Sequence, residues 1–329
     1  MPELSNPPTA QTPSRWLVLD ILRGSALAAM FVYHLVWDLG FFNLVPMSFA
    51  LSPGFHAFGH AIAAVFLSVS GASFVLSVAR GGVGAGYWKR LGLLVAAALG
   101  VTLVTSFLFP QAFIFFGILH ALALSSLLGL LVYRWPALAL FGLGAGLVAL
   151  PAVFSHTLFN APWLWWTGLN ELIPASNDYR PILPWFGVYL IGMGLMKAFL
   201  ARAEVPERSA PPSGFLGLLA LGGRHSLLVY LVHQPVFLAL IWALTLTQGP
   251  RVQRDETAFI GSCVNECAER GASRLTCRSS CQCVAAEVKV RGFWTEILSN
   301  KISDSQQQQL SEVALACWKK ALKAPPPAP

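Results

Sequence analysis

Residues Leu19–Phe42 read LDILRGSALAAMFVYHLVWDLGFF. The run is mainly apolar and long enough to cross a bilayer, which takes roughly 20 residues of helix. Four ionisable residues interrupt it: Asp20, Arg23, His34 and Asp38. At 100° per residue these fall within roughly 60° of one another, with Leu27 between them, so they share one helix face. Charged groups are costly in hydrocarbon, so that face must point into a bundle or an aqueous cavity. Asp20 and Asp38 are separated by about 27 Å of helical rise. Asp20 and Arg23 therefore mark one end of the face, and His34 and Asp38 the other. The structural reading is an i,i+3 ion pair at one end and a His–Asp contact at the other. The functional reading is a polar seam through a membrane.

The rest of the chain agrees with a membrane solvent. Hydrophobic residues make up 55% of the 329 and charged residues only 11%, against about 25% charged in soluble domains. The composition is uneven: residues 16–247 are apolar, while 250–329 are polar and hold all six cysteines. Apolar runs at about 16–39, 53–79, 89–109, 113–133, 136–154, 181–200 and 223–246 predict seven spans. Phe159–Arg180, with Trp163, Trp165 and Trp166, is too mixed to span, and its tryptophans suit the headgroup level. The fold class is an all-α polytopic membrane bundle (15–247) with a small cysteine-rich helical domain (250–323). Residues 1–14 and the Pro-rich 324–329 flank these as disordered ends.

Net charge is +7, but its distribution excludes nucleic acid as the partner. Basic residues gather at Arg15, at Arg80/Lys89/Arg90, at Arg134 and at Lys197/Arg202/Arg208/Arg224. Those are the N-terminal flank and loops 2, 4 and 6; loops 1 and 3 hold no Lys or Arg, and loop 5 only Arg180. Positive loops stay cytoplasmic, which places the N-terminus inside and, after seven spans, the C-terminus outside. Met1–Ser14 lacks the charged start and short apolar core of a cleaved signal peptide. A multi-pass membrane protein with an extracytoplasmic C-terminal tail is expected.

In the tail, Cys263-x3-Cys267 and Cys277-x3-Cys281 are twin pairs at helical spacing, followed by Cys283 and Cys317. An antiparallel helical hairpin would bridge Cys263 to Cys281 and Cys267 to Cys277, leaving Cys283 for Cys317. Six cysteines allow 15 pairings, so spacing alone does not decide. An even cysteine count in a small polar domain suits an oxidising compartment. A zinc site is the alternative, and the tail contains no His to help form one.

The histidines carry the candidate chemistry. His34, His56, His60, His120 and His233 fall at one membrane depth, five of the seven in the chain. In the seventh span Ser226, Tyr230, His233 and Phe237 share a stripe, with Gln234 beside it and Pro235 next, where a helix loses a hydrogen bond. A lone buried histidine is usually a packed core residue; several at one depth suit proton transfer or acyl handling. No HExxH spacing appears and no metal is expected. The small-residue patch SVSGAS (Ser68–Ser73) reads as close helix packing, since no GxSxG elbow is present. Gly81–Gly86 is a turn between spans.

Five stretches taken together resemble a known family, the bacterial relatives of the catalytic domain of heparan-α-glucosaminide N-acetyltransferase. They are Leu19–Phe42, the segment around Ser70–Gly71, FIFFGILHALALSSLL (Phe113–Leu128), DYRPILPWFGVYLIGMG (Asp178–Gly194) and GRHSLLVYLVHQP (Gly223–Pro235). They occur in family order across about residues 15–245; the tail lies outside the resemblance. The resemblance implies a membrane acyltransferase that takes an acyl group from acetyl- or another acyl-coenzyme A at the cytoplasmic face. Delivery is to an amino-sugar or glycan acceptor on the far side, among membrane lipids, with a homodimer possible. On that reading Arg23, Asp20, Lys89, Arg90 and Arg224 attend the donor, their cations suiting phosphates. His34, Asp38, His60, His120 and His233 are the candidates for acid–base work. The lysosomal member carries Asn where His34 stands, and its histidine follows in the next lumenal segment, where this chain offers His56 or His60. Two other functions fit the same seam: a transporter or channel, and a membrane anchor for the cysteine-rich tail.

Overall fold

The computed structural model describes residues 16–42, 44–45, 47–203, 213–248, 255–269, 271–298 and 302–323. Residues 1–14, Arg15, Arg208 and the Pro-rich 324–329 lie outside the described residues. Every regular element among the described residues is helical: α1 (Leu17–Phe41), α2 (Met47–Ala50), α3 (Pro53–Gly81), α4 (Ala85–Leu108), α5 (Ile118–Val132), α6 (Ala137–Val153), α7 (Ile182–Leu200), α8 (Gly214–Arg224), α9 (Ser226–Gln248), α10 (Asp255–Glu269), α11 (Arg274–Val290), α12 (Trp294–Leu298) and α13 (Asp304–Lys323). Two 3₁₀ turns, Thr157–Asn160 and Pro162–Thr167, lie between α6 and α7.

Among the described residues, five helices are long and apolar enough to cross a membrane: α1, α3, α4, α7 and α9. The other two expected spans are shorter. α5 has 15 residues and α6 has 17, roughly 22 and 25 Å of helix. The difference lies mainly at the start of α5: Phe113–Gly117 is as apolar as a helix but is not helical. The last expected span begins later than its hydropathy suggests, because α8 ends at Arg224 and α9 starts afresh at Ser226. α9 then runs on through Pro235.

The chain forms two compact units, and the division falls within α1 and α9. The first holds residues 1–35 and 56–236. Its core is built from Leu67 of α3, Ala121 of α5, Leu140 of α6, and Tyr189, Leu190 and Met193 of α7, all fully buried. Glycines let these helices touch backbone to backbone. A Cβ on Gly71 would overlap the Tyr189 carbonyl oxygen, and one on Gly192 the Ser68 carbonyl oxygen. Gly144 and Gly187 face each other across α6 and α7 in the same way. The SVSGAS patch is thus a helix crossing. α4 turns Leu93, Leu99, Leu103, Phe107 and Leu108 outward, a surface suited to lipid rather than water.

The second unit holds residues 36–55 and 237–329. Its disulfides are Cys263–Cys281, Cys267–Cys277 and Cys283–Cys317. That is the pairing expected of the helical hairpin, here α10 against α11, with α13 tied on by the third bridge. Beneath them Val284, Ala285, Val288, Phe293, Trp294 and Val313 form a small core. Gln306–Gln309, a polar run in the sequence, lies in the first turns of α13.

Candidate functional site

The charged face of α1 is buried as its spacing requires. Asp20 is buried at one end, and Leu27 lies between. Arg23 pairs with Asp20 at 3.4 Å and donates to the Ser73 hydroxyl of α3, which itself donates to the Val69 carbonyl at 2.6 Å. α8 closes on this end: a Cβ on Gly24 would overlap the Leu219 carbonyl, and one on Gly223 the Asp20 carbonyl. Arg224, exposed, follows immediately. Lys89 and Arg90 stand exposed in the first turns of α4. Arg23 is therefore a largely buried member of a polar knot, whereas Lys89, Arg90 and Arg224 are exposed.

About 16 Å further along α1 the seam becomes aromatic. The ring of His34 meets that of His233 of α9 edge-on, with centroids 5.0 Å apart. Phe31 stacks on His233 at 5.4 Å, and Tyr230 lies 5.7 Å from it. His233 Nδ1 lies 2.5 Å from the Tyr230 carbonyl. A carbonyl only accepts, so Nδ1 carries the proton and Nε2 is the basic nitrogen. Asp38 belongs to the second unit, where it is buried.

His60 has the same arrangement. Its Nδ1 donates to the His56 carbonyl at 2.9 Å, which again leaves Nε2 basic. The ring is exposed and stacks on buried Trp185 of α7, with centroids 5.7 Å apart and planes 5° from parallel. His120 differs. Gly117 N–H donates to its Nδ1 at 3.2 Å, so Nε2 carries the proton and reaches Thr102 Oγ1 at 3.2 Å. Thr102 donates in turn to the Ile114 carbonyl at 2.6 Å. Both His120 nitrogens thus serve the start of α5, and its ring packs with Phe116 rather than with the His34–His233 pair.

Two charged residues absent from the sequence candidates stand among these rings. Asp178 accepts from Ile118 N–H at 2.8 Å, capping α5 from 60 residues away. Its other oxygen lies 3.6 Å from Arg180 Nε. Arg180 is fixed further by its own N–H to the Phe116 carbonyl (2.9 Å), by Nη1 to the Tyr179 carbonyl (3.1 Å), and over the Trp185 ring at 5.4 Å. Gly117 makes the cap possible, since a Cβ there would come 2.5 Å from Asp178 Oδ2. The available signal was the DYRP motif, which carries Arg180, the sole cation of loop 5, at the entry to a long apolar helix.

Irregular segments cover this end. Asn177 N–H bonds the Ala112 carbonyl at 2.9 Å and Ser176 Oγ the Phe113 carbonyl at 3.1 Å. The Tyr179 hydroxyl lies 2.6 Å from both the Trp165 carbonyl and Asn170 Oδ1. Burial pushes that hydroxyl up to about 12, against the opposing effect of its Asn170 hydrogen bond, so it remains a neutral donor. Gly168 closes the second 3₁₀ turn at φ 83°, where a Cβ would also overlap the Leu183 carbonyl. Trp163 and Trp166 are exposed on the same segment.

A family model described as heparan-alpha-glucosaminide N-acetyltransferase, catalytic, matches residues 15–235. It spans most of the chain and ends at Pro235, before the cysteine-rich module begins. No curated protein and no solved structure matches the chain.

Proposed function

The chain belongs to the heparan-α-glucosaminide N-acetyltransferase catalytic family, a family of membrane acetyltransferases, and on that premise we propose a transmembrane acyl transfer. The donor is acetyl- or another short acyl-coenzyme A, met at the Arg23 end of α1 with Lys89, Arg90 and Arg224 facing its phosphates. The acceptor is a sugar hydroxyl or amine of a glycan at the His34 end. With the positive loops inside, that end is extracytoplasmic in a bacterial inner membrane, and the disulfide module is periplasmic.

The observation that carries this reading is the His34–His233 ring pair at 5.0 Å, joining the first and last helices of the matched region. Nε2 of His233, with Nδ1 held by the Tyr230 carbonyl, suits a general base. It takes the acceptor's O–H or N–H proton while that oxygen or nitrogen attacks the thioester carbonyl. The C–S bond breaks, and the proton passes to the departing thiolate to give free coenzyme A. His60 is the second candidate for acid–base work at this end. His120 is assigned to capping α5.

The test is release of free coenzyme A from acetyl-coenzyme A by the purified full chain, with and without glucosamine or a neutral glucoside. Acceptor-stimulated release is expected. His34→Ala and His233→Ala should each lower it about 10²–10⁴-fold, the usual range for a lost acid–base group. Full activity in both variants would remove these histidines from the mechanism. No release with any donor would turn the same seam toward transport, and solute flux into proteoliposomes would then be measured.

A further inference from the structure

The mechanism above leaves one conspicuous group unused: a fixed guanidinium at the acceptor end, held from three sides. Its side chain meets Asp178 at 3.6 Å, the Tyr179 carbonyl and the ring of Trp185, while the backbone N–H of Arg180 donates to the Phe116 carbonyl. Asp178 is anchored in turn by the Ile118 N–H at the start of α5. Trp185 carries the parallel ring of His60. We propose that Arg180, braced by Asp178, is a positioning residue that holds the plane of His60 through Trp185. This rests on the acyl-transfer reading of the site.

Three features favour positioning over a plain fold contact. First, a surface ion pair would suffice to join the two loops, yet here both partners are four-fifths buried, with side chains 19% exposed each. Second, the guanidinium lies over the ring that also stacks a histidine, so a shift of Arg180 reaches His60 through one ring. Third, the brace ends at α5, a core helix, through the Ile118 N–H, which donates to Asp178. The chain Ile118–Asp178–Arg180–Trp185–His60 thus ties a reactive ring to a rigid element, as precise placement of a catalytic group requires.

The experiment compares Arg180→Gln, Arg180→Lys and Asp178→Asn with the wild-type full chain in detergent. Two readouts are taken: coenzyme A release with acceptor, and the rate at which diethylpyrocarbonate modifies each histidine, by mass spectrometry. His156 and His225, both exposed and neither a member of the brace, serve as internal controls. Arg180→Gln should lower kcat about 10²-fold with acceptor KM within about threefold, the size of a small misplacement of a reacting group. Its His60 modification rate should change while His156 and His225 keep theirs. Arg180→Lys, which keeps the cation, should recover to within about tenfold of wild type. Asp178→Asn, which still accepts from Ile118 but loses the ion pair, should fall between.

Wild-type kinetics together with an unchanged His60 rate in Arg180→Gln would overturn the proposal. So would equal loss in Lys and Gln variants that also elute as aggregates, because the role would then be structural. If wild type turned over no substrate, the transfer reading would fail separately. The His60 rate would then decide alone: changed in Gln and restored in Lys, the positioning stands; unchanged, it does not.

Discussion

α3 and α7 cross with Gly71 against the Tyr189 carbonyl and Gly192 against that of Ser68; α10 and α11 are joined by two disulfides over a core of a few side chains. Each is a pair of packed helices, yet the contacts differ in kind, as expected for lipid on one side and water on the other. In lipid, apolar side chains gain nothing by leaving one hydrocarbon for another, so helices associate through close backbone packing and shared polar groups. The glycine crossings and the Asp20–Arg23–Ser73 knot are of that kind. In water, a module of about 70 residues can bury only a modest core and is commonly stapled covalently. Sequence composition changes at the same place as the physics.

The largest effect should come from removing the staples. Each bridge of this kind contributes about 2–4 kcal/mol, mainly by restricting the unfolded chain, so three together rival the stability of a small domain. Full reduction of the intact protein should therefore expose residues 255–323 to limited proteolysis while the fragment bearing α1–α9 persists and keeps its activity. Protease resistance of the module after thiol titration shows all six cysteines free would mean that the Val284–Trp294 core suffices.

Next in size are the crossings. Gly192→Val forces a side chain into the Ser68 carbonyl, where backbone rather than a mobile side chain must yield. Overpacking of this kind costs about 1–3 kcal/mol and occasionally more. The melting temperature in detergent should drop and the helix content of the bundle should suffer, with non-reducing mobility of the disulfide module unchanged. A Gly192→Val protein as heat-stable as wild type would show that α3 and α7 are free to separate.

Much of this division is legible in the residues themselves. Twin C-x3-C pairs put sulfurs on one face of each hairpin arm, so the pairing Cys263–Cys281 and Cys267–Cys277 follows once the hairpin is assumed. The buried face of α1 follows equally from the positions of Asp20, Leu27 and Asp38. His34 and His233, from the two ends of the bundle sequence, do come together. The start of α5 was not legible, because Phe113–Gly117 is apolar and only a carboxylate 60 residues away fixes where the helix begins. For the same reason His120 looked like His233: hydropathy and depth do not reveal that Gly117 and Thr102 occupy both its nitrogens. The role of Asp178 and Arg180 was not legible either, because it lies in long-range partners, which no local period encodes.

The smallest expected effect separates charge from stacking in the water-facing module. Lys289 Nζ lies 2.5 Å from Glu256 and 5.0 Å from the Trp294 ring centroid. The ion pair is short, but its side chains are 39% and 53% exposed, so screening holds its contribution to about 0.2–1 kcal/mol. Glu256→Gln should cost at most that, and the loss should vanish by about 1 M salt, where the Debye length falls to about 3 Å. Lys289→Ala removes the cation–π contact as well, which adds about 0.5–1 kcal/mol at a partly exposed site. Chemical unfolding of the oxidised protein, followed by the fluorescence of its tryptophans, measures both variants at two salt concentrations. A Lys289→Ala loss that survives high salt assigns the lysine to Trp294, and one that disappears assigns it to Glu256. In either case the module should keep its fold, since the bridges rather than its surface charges hold α10, α11 and α13 together.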